Sequence, residues 1–329
     1  MIGPPLLLGK EFTVIISKCP LRVSLCGGST DSPSFIKKFG KGQVISFTPS
    51  LYTYSTLHKD INGFNNFKKK YLISYSKSES CSSIKQIEND VVRAALGYFK
   101  TDPLKVSLHA DVFSFGSGLA SSSSYILNLV SGLNILHDLN LPLSEICRIA
   151  FKLEKKLNPY NGYQDTYGCA FGGLKLMKFD QDGYASHELL PNTLFNKFDF
   201  YLVYTNIQRQ SQNILKSIDI DKSEPLLYDV DEMYQTIKEN NFLKFFRILN
   251  LSWKTKKQTS PEIINCEELR LLDQKLESDS QILAHKLCGA GGGGYFLAIT
   301  PKNAKIKLEK SNPYIKISLE KENLYSHIL

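Results

Sequence analysis

The sequence predicts an α+β protein, in which strands and helices mix without a regular alternation. Three observations support this fold class. Short apolar segments with β-branched and aromatic residues, separated by turn residues, occur between positions 13 and 75. Apolar residues then recur at helical spacing over 119–136 and 143–157. Strand patterns return after residue 174, and because they do not alternate regularly with helices, a doubly wound parallel sheet is not expected.

The individual elements follow from apolar periodicity in chain order. The first predicted strands lie at residues 13–16, 21–26, 44–47, 51–57 and 71–75. Alternating apolar and polar residues predict a half-buried strand at 104–110, which precedes the two helical stretches. The second half is predicted to hold strands at 174–179, 198–204, 295–300 and 314–319 and helices that include 241–251 and 262–277. Turn residues at 182–183 and 191–192 predict a domain boundary between them, which divides the chain into residues 1–188 and 189–329.

Composition limits the class of protein. The chain has 329 residues, of which 42% are hydrophobic and 22% charged, as is typical of a soluble globular protein. No apolar run approaches the roughly 20 residues of a membrane helix, and the first residues lack a signal-peptide pattern. The seven cysteines form no CxxC pair, which argues against a disulfide framework or a structural zinc site. We therefore expect a cytoplasmic protein without a membrane partner.

The net charge of +8 is compatible with binding nucleic acid or with binding phosphate-bearing small molecules. The basic residues are dispersed along the chain rather than gathered in one stretch. A dispersed charge of this size is typical of a solvated surface, so a nucleic-acid partner is not expected.

The strongest chemical signal is the glycine- and serine-rich segment Gly116–Ser124, which precedes the first predicted helix. Glycines let backbone N–H groups approach a ligand, and the start of a helix leaves N–H groups free beside the positive end of its dipole. Such a segment suits a phosphate, and its serine hydroxyls can contact phosphate or Mg²⁺. It is not a Walker A loop, because no Gly-Lys-Ser/Thr ends it. A loop that merely caps the helix is the alternative.

The segment Gly289–Gly294 has five glycines in six residues, just before the predicted strand at 295–300. Glycine weakens both strands and helices, so close approach of the backbone to a ligand explains this density better. A hinge or a tight turn is the alternative.

Charged side chains occur in two further places. Arg22 lies on a predicted strand that ends in Gly27-Gly28, and Asp31 follows this turn. Arginine can clamp a phosphate and aspartate can bind sugar hydroxyls, although a surface arginine and a turn aspartate are the alternatives. Glu154 and Asp165 flank the break after the second helix. Phosphoryl transfer needs one carboxylate for metal and one near the attacking hydroxyl, but Glu154 could also lie on a solvated helix face.

In this order, the segments resemble the three motifs of the GHMP kinase superfamily (galactokinase, homoserine kinase, mevalonate kinase and phosphomevalonate kinase). Residues 20–31 resemble the first motif, Gly116–Ser124 the second and Cys288–Gly294 the third. The resemblance covers roughly residues 15 to 300. It implies a two-domain fold, with an N-terminal domain like ribosomal protein S5 domain 2 and a ferredoxin-like C-terminal domain, and an ATP-dependent sugar kinase that uses Mg²⁺.

The resemblance also implies residue roles. Asp165 falls at the catalytic aspartate, with Arg22 close by to stabilise charge. Mg²⁺ would be held by Ser122 and Glu154. The phosphates of ATP would lie along Gly116, Ser117, Gly118, Leu119, Ala120, Ser121, Ser122 and Ser123. The acceptor would be bound by Gly27, Gly28, Thr30, Asp31, Gly289, Ala290, Gly291, Gly292 and Arg209.

The form of the first motif narrows the resemblance. Many members have Gly-Glu-His-Thr-Asp, whereas this chain has Gly-Gly-Ser-Thr-Asp at 27–31, similar to D-glycero-D-manno-heptose 7-phosphate kinases and the kinase half of fucokinases. Segments 75–79, 87–93 and 204–209 also look like the heptose kinases. The implied reaction phosphorylates the anomeric hydroxyl of the heptose phosphate, with Lys77, Arg93 and Arg209 as candidate partners of its 7-phosphate. Ala120 departs from a glycine that is frequent in the family.

Several alternatives stay open. The chain could be fucokinase-like or another small-molecule kinase of the superfamily, and it could form a homodimer. A catalytically silent relative that senses a sugar is a further class. The presence of Arg22, Ser122, Glu154 and Asp165 together argues against it, because a sensor need not keep both carboxylates.

Overall fold

The computed structural model describes residues 12–60, 70–113, 116–208, 211–304, 306 and 311–329. Its strands are β1 (Phe12–Pro20), β2 (Val23–Cys26), β3 (Gly42–Phe47), β4 (Tyr52–Asp60), β5 (Tyr71–Ser74), β6 (Ser78–Cys81), β7 (Lys105–Ala110), β8 (Leu174–Asp180), β9 (Gly183–Leu189), β10 (Phe198–Tyr204), β11 (Ala284–Leu287), β12 (Tyr295–Pro301), β13 (Tyr314–Ile317) and β14 (Tyr325–Ile328). Its helices are α1 (Pro33–Phe39), α2 (Asp90–Phe99), α3 (Ser121–Leu136), α4 (Leu143–Leu157), α5 (Gln164–Ala170), α6 (Thr193–Lys197), α7 (Ser211–Ser217), α8 (Pro225–Lys238), α9 (Phe242–Gln258) and α10 (Glu267–Ser278). The predicted α+β class is confirmed.

Helix α4 shows why the periodic segments fold as predicted. Its apolar residues Ile146, Ala150 and Leu153 are buried on one side, as the helical period requires. Glu145 lies in the first turn, and two lysines lie in the last turn, a placement that favours the helix dipole. The bounds of α4 and of β10 are those predicted from the sequence.

The strands form three sheets. One has six strands in the order β14-β1-β4-β7-β5-β6, antiparallel except for the parallel pairing of β5 with β7. The strands β2-β3-β8-β9 form an antiparallel sheet of four, and β11-β12-β10-β13 form the other. Helix α3 packs against β1 and β4 of the largest sheet. The N-terminus of α3 therefore has a fixed position relative to the strands around it.

The two halves of the chain share both a core and a sheet. β9 ends at Leu189, beside the boundary predicted between residues 188 and 189. The β11-β12-β10-β13 sheet is built from residues after that boundary. However, β14 returns to pair with β1, placing Ile328 opposite Ile15. Phe47 and Phe200 also pack across the two halves, with ring centroids 5.6 Å apart. The last strand thus belongs to a sheet of the N-terminal half.

The seven cysteines all lie in the described ranges, where none forms a disulfide bond and six are buried, including Cys26 and Cys288. Within the described ranges, no helix is both long and apolar enough to span a bilayer.

Candidate active site

A large cleft lies where the turn after β2, the loop before α3, the start of α5 and the C-terminal half meet. Its volume is about 2130 Å³, whereas a pocket for one small molecule usually measures about 300–1,000 Å³. The cleft therefore has room for two small molecules side by side. Arg22, Asp31, Gly116, Glu154 and Asp165 all line it, so the structure brings together residues that the sequence motifs keep far apart.

The second motif wraps the N-terminus of α3. Gly116 and Gly118 have φ angles of 67° and 79°, which side chains disfavour. The N-cap residue Ala120 makes no side-chain capping bond to α3, and Ser124 N bonds to Ala120 O at 3.0 Å as part of the helix ladder. The N–H groups before Ser124 have no partner within the helix, so they are available to an anion in the cleft. The loop therefore has the geometry of a phosphate site.

Two residues of this loop differ from the others. Leu119 is fully buried, and its carbonyl accepts a 3.1 Å bond from Arg22 N. Its role is to support the loop, and it is not among the described walls of the cleft. Ala120 has a φ of 64° just before α3. A left-handed conformation costs a non-glycine residue roughly 1–2 kcal/mol, which explains why glycine suits this position.

Arg22 joins the phosphate loop to Asp165. It is 2% exposed, and its Nη1 donates to Gly118 O at 2.7 Å. Its Nε and Nη2 donate to Asp165 Oδ1 at 3.1 and 2.7 Å. Both bonds end on Oδ1, and the Asp165 side chain is 24% exposed. An acceptor hydroxyl in the cleft can therefore reach the other carboxylate oxygen, beside a fixed positive charge.

Glu154 is a buried carboxylate near the end of α4, 2% exposed. Ser123 Oγ and Asn161 Nδ2 donate to its Oε1, the latter at 2.8 Å, and Thr166 Oγ1 donates to its Oε2 at 2.7 Å. Burial, and then the nearby charge of Asp165, raise the pKa of Glu154 from 4.5 to about 7. The alternative of a solvated helix face is wrong. A buried carboxylate beside a second one is a position where a cation is favourable.

The hydroxyl of α3 that contacts Glu154 belongs to Ser123, whereas Ser122 was predicted as a metal ligand. Ser122 is exposed and lines the cleft. Consecutive residues of a helix point about 100° apart, so the two hydroxyls take different directions. A contact of Ser122 with phosphate or metal stays a prediction. Ser123 is a contact of Glu154 that the sequence did not indicate.

The first motif forms a tight turn against α5. Asp31 is 1% exposed, and it accepts from Gln164 N at 3.0 Å, Gln164 Nε2 at 2.9 Å and Ser29 N at 3.2 Å. Burial, and then the charge of Asp165, raise the pKa of Asp31 from 3.8 to about 6. The Thr30 hydroxyl is buried 2.8 Å from Gly27 O. The Thr30 hydroxyl therefore holds the turn together, and a contact of Thr30 with the acceptor stays a prediction.

Gly27 and Gly28 line the cleft for different reasons. Gly27 has a φ of 83°, and a Cβ there would lie 2.1 Å from Gln43 O, so only glycine fits. At Gly28, a Cβ would meet nothing closer than Ser24 Oγ at 3.6 Å and Gln164 Nε2 at 3.7 Å. A Cβ would fit at position 28, and its absence leaves space in the cleft.

The third motif mainly contacts the protein itself. Gly289 and Ala290 line the cleft. A Cβ at Gly291 would lie 2.7 Å from the Cα of Ile263, one at Gly292 would lie 2.5 Å from a side-chain carbon, and one at Gly294 would lie 2.3 Å from Ser117 O. Packing against protein explains why Gly291 and Gly292 lack side chains, and a backbone contact of either residue with the acceptor stays a prediction. These glycines let the motif pack on neighbouring segments, and Gly294 supports the phosphate loop.

Of the basic residues predicted to bind a distal phosphate, Lys77 lines the cleft. Lys77 is 70% exposed and lies 3.8 Å from Glu88. Arg93 donates to the carbonyl groups of residues 87 and 88, which fixes the segment before α2. Arg209 lies outside the described residues. Lys256 of α9 and Lys286 of β11, which no motif indicated, also line the cleft.

The geometry can be compared with known proteins. A family model for the N-terminal domain of GHMP kinases matches residues 84–173. The chain is 32% identical over 347 aligned residues to a D-glycero-alpha-D-manno-heptose 7-phosphate kinase of Campylobacter jejuni, covering 95% of this chain and 98% of the relative. The chain belongs to the GHMP kinases. It is thus an ATP-dependent sugar kinase with a small-molecule acceptor. Of the two classes that the sequence left open, kinase and catalytically silent sugar sensor, the comparisons favour the kinase.

Solved structures confirm the predicted fold of this GHMP kinase. A galactokinase of Lactococcus lactis complexed with galactose superposes with a TM-score of 0.76 at 17% identity, covering 95% of each chain. A D-glycero-D-manno-heptose 1-phosphate kinase of Bacteroides thetaiotaomicron superposes with a TM-score of 0.72 at 19% identity, covering 95% of this chain and 98% of that one. At these identities, the likeness shows the fold alone.

Proposed function

We propose that this GHMP kinase transfers the γ-phosphate of ATP to the anomeric hydroxyl of D-glycero-D-manno-heptose 7-phosphate, with Mg²⁺, in the cytoplasm. The observation that supports phosphoryl transfer is the link between the phosphate loop and Asp165 through Arg22. The observation that supports the acceptor is Gly28, which leaves space in the cleft and lacks the glutamate of other family members. Without that negative charge, an anionic acceptor meets less repulsion.

The residues present fit a magnesium ion. Mg²⁺ prefers oxygen ligands and usually takes one or two carboxylates together with substrate phosphates. Glu154 and Asp165 supply carboxylates, and Ser122 supplies a hydroxyl in the same cleft. Within the described residues, no cluster of three or more histidine, cysteine, aspartate or glutamate side chains could hold a metal, so phosphate oxygens would complete the shell. The ion would neutralise charge on the β- and γ-phosphates when bound.

The chain's own residues supply positioning and proton transfer. The free N–H groups at the start of α3 bind the ATP phosphates. Asp165, held on Oδ1 by Arg22, accepts the proton of the acceptor hydroxyl through Oδ2. Arg22 stabilises negative charge beside the transferred group. Positioning and charge neutralisation of this kind supply most of the rate in phosphoryl transfer.

A substrate panel tests this proposal. The purified protein would be given MgATP with heptose 7-phosphate, free heptose, fucose, galactose, mevalonate or homoserine, and the product would be identified by ³¹P NMR. Two charge-assisted hydrogen bonds to the distal phosphate, each worth roughly 1.5–3 kcal/mol, give about 10²-fold or more in kcat/KM over the free heptose. Higher kcat/KM with an unphosphorylated sugar would overturn the heptose assignment in favour of a fucokinase-like or galactokinase-like specificity.

A further inference from the structure

Two polar side chains of the cleft wall lie on the same side of Gly28. A Cβ added at Gly28 would lie 3.6 Å from Ser24 Oγ and 3.7 Å from Gln164 Nε2, and both residues line the cleft. Each carries a buried oxygen, Ser24 Oγ and Gln164 Oε1, that has no hydrogen-bond partner among the described residues. Because buried polar atoms are normally paired, two such oxygens at one place in a cleft indicate a missing polar group.

The alternation of β2 directs the Ser24 hydroxyl to the cleft side of the strand. Successive side chains of a strand point to opposite faces. Leu21, Val23 and Leu25 belong to a buried apolar cluster. Arg22 and Ser24, the residues between them, line the cleft. Ser24, which is 5% exposed, therefore faces the cleft beside Arg22, about 7 Å farther along the chain.

The amide of Gln164 is oriented by Asp31. Gln164 Nε2 donates to Asp31 Oδ1 at 2.9 Å, and Gln164 N donates to Asp31 Oδ2 at 3.0 Å. Burial raises the pKa of Asp31 to about 6, so the carboxyl group is still mostly ionised at neutral pH and can only accept hydrogen bonds. The amide must therefore turn its N–H₂ group to Asp31, which leaves the carbonyl oxygen Oε1 available to a ligand.

The two oxygens suit a neutral hydroxyl group. Gln164 Oε1 only accepts hydrogen bonds, whereas Ser24 Oγ can both donate and accept. One hydroxyl can donate to Oε1 and accept from Oγ, but an ionised phosphate has no proton to give and would leave Oε1 unpaired. Gln164 directly precedes Asp165 in the sequence. A hydroxyl bound here would therefore lie near the one that Asp165 is proposed to deprotonate.

We propose that Ser24 and Gln164 bind a hydroxyl group of the acceptor other than the one that is phosphorylated. This assignment rests on the proposed function, in particular on the role of Asp165, and deepens it by naming residues that select and orient the sugar. The bound hydroxyl donates to Gln164 Oε1 and accepts from Ser24 Oγ. These two bonds hold the sugar at a second point, which directs the reacting hydroxyl to Asp165.

Monodeoxy analogues of the acceptor test this contact. Each analogue of heptose 7-phosphate lacks one hydroxyl, at C2, C3, C4 or C6, and its kcat/KM is compared with that of the parent in the wild type and in Ser24→Ala. In the wild type, we expect one analogue to lose roughly 5- to 100-fold, because its absence leaves polar groups unpaired. Ser24→Ala should lose about 10-fold with the parent, less than about threefold more with that analogue, and nothing in the KM of ATP.

Gln164→Met provides a second variant. It also removes the bond to Asp31, so activity should fall with every acceptor. This general loss cancels in the ratio of kcat/KM between the parent and an analogue. The ratio should fall toward one for the same analogue that Ser24→Ala identifies.

Ser46→Ala is the matched control. Ser46 is the partner of Ser24 in the pairing of β2 with β3, and its buried hydroxyl likewise has no hydrogen-bond partner among the described residues. Ser46 is not among the described walls of the cleft, so its variant should keep the wild-type ratio for every analogue. Because an unpaired buried hydroxyl is unfavourable, both alanine variants should keep or raise Tm without acceptor.

Three results would overturn the assignment. They are wild-type ratios for all analogues in Ser24→Ala, an increased KM for ATP, and a lower Tm of Ser24→Ala, which would show that the hydroxyl stabilises the fold. If the wild type prefers a neutral sugar, the proposed heptose phosphate fails by itself. The same comparison with monodeoxy galactose or fucose then decides the roles of Ser24 and Gln164 separately.

Discussion

The substitution Glu154→Gln should stabilise the metal-free protein while it damages catalysis. Glutamine can keep all three contacts of Glu154. Its carbonyl oxygen takes the place of Oε1, which accepts from Ser123 and Asn161. Its amide N–H₂ then faces Thr166 Oγ1, and a hydroxyl can accept as well as donate. The change therefore removes a buried charge without leaving a polar group unpaired.

The magnitude follows from the pKa of Glu154, which is raised from 4.5 to about 7. Each pKa unit corresponds to about 1.4 kcal/mol, so ionised Glu154 lowers the free energy of unfolding by about 3 kcal/mol above pH 7. Because the folded state holds the proton more tightly, stability falls as pH rises from about 4.5 to 7. Glutamine removes this dependence. The stability difference between variant and wild type should therefore reach about 3 kcal/mol at pH 8.5 and fall below about 1 kcal/mol at pH 5.

Urea unfolding of both proteins in EDTA at pH 5 and pH 8.5 measures this difference. The matched control is Glu145→Gln on the same helix. Glu145 is paired with Arg148, which lowers the pKa of its carboxyl group, so its neutralisation should slightly lower stability at pH 8.5. A Glu154→Gln variant that is less stable than the wild type at pH 8.5, or a difference that does not change with pH, would refute the reasoning.

Three further outcomes are expected from the same cleft. Asp165→Asn should keep the Kd of ATP and lose about 10²–10⁴-fold in kcat, as is typical when a general base is removed; near wild-type turnover would remove Asp165 from the mechanism. Glu154→Gln should raise the Mg²⁺ concentration needed for half-maximal activity, with partial rescue at high Mg²⁺; an unchanged Mg²⁺ dependence would exclude Glu154 as a ligand. Gly28→Glu should lower kcat/KM for heptose 7-phosphate at least tenfold through repulsion, whereas Gly28→Ala, whose Cβ fits, should change it little; similar losses in both would indicate a steric effect.

Periodicity predicted the elements whose burial pattern is regular. Helix α4 alternates buried and exposed residues at helical spacing, and β10 is rich in aromatic and branched apolar residues apart from Asp199, so both were predicted with their true bounds. Strand β9 escaped prediction because most of its residues are partly or fully exposed, which leaves no alternation to detect. Strand β14 was missed for a different reason. It is held by pairing with β1, which lies near the other end of the sequence. Pairing with such a distant strand leaves no pattern in the local sequence of β14.

The residues of the site likewise divide into those that the sequence predicted and those that it did not. The order of the motifs predicted that Arg22, Asp165 and Gly116–Ser124 act together, and the structure joins them through two hydrogen-bonded contacts of Arg22. The reason for the glycines in the third motif was only partly predicted, because a glycine that packs against protein backbone has the same sequence signature as one that approaches a ligand. Lys256 and Lys286 carried no signal, since a lysine in an amphipathic helix or a strand ordinarily reaches solvent. Only the tertiary structure shows that they are buried.

Asp31 connects the acceptor turn to catalysis. It was expected to hold sugar hydroxyls, yet its oxygens bind Gln164, the first residue of α5, and the next residue is Asp165. A Cβ at Gly162 would lie 1.9 Å from Asp31 Oδ2, so glycine there lets the α4–α5 loop close onto the carboxylate. The position of Asp165 is therefore set from two sides, by Arg22 on its side chain and by Asp31 through Gln164. An acceptor that displaces the Ser29–Asp31 turn would also displace Asp165, which couples recognition of the sugar to the placement of the proposed general base.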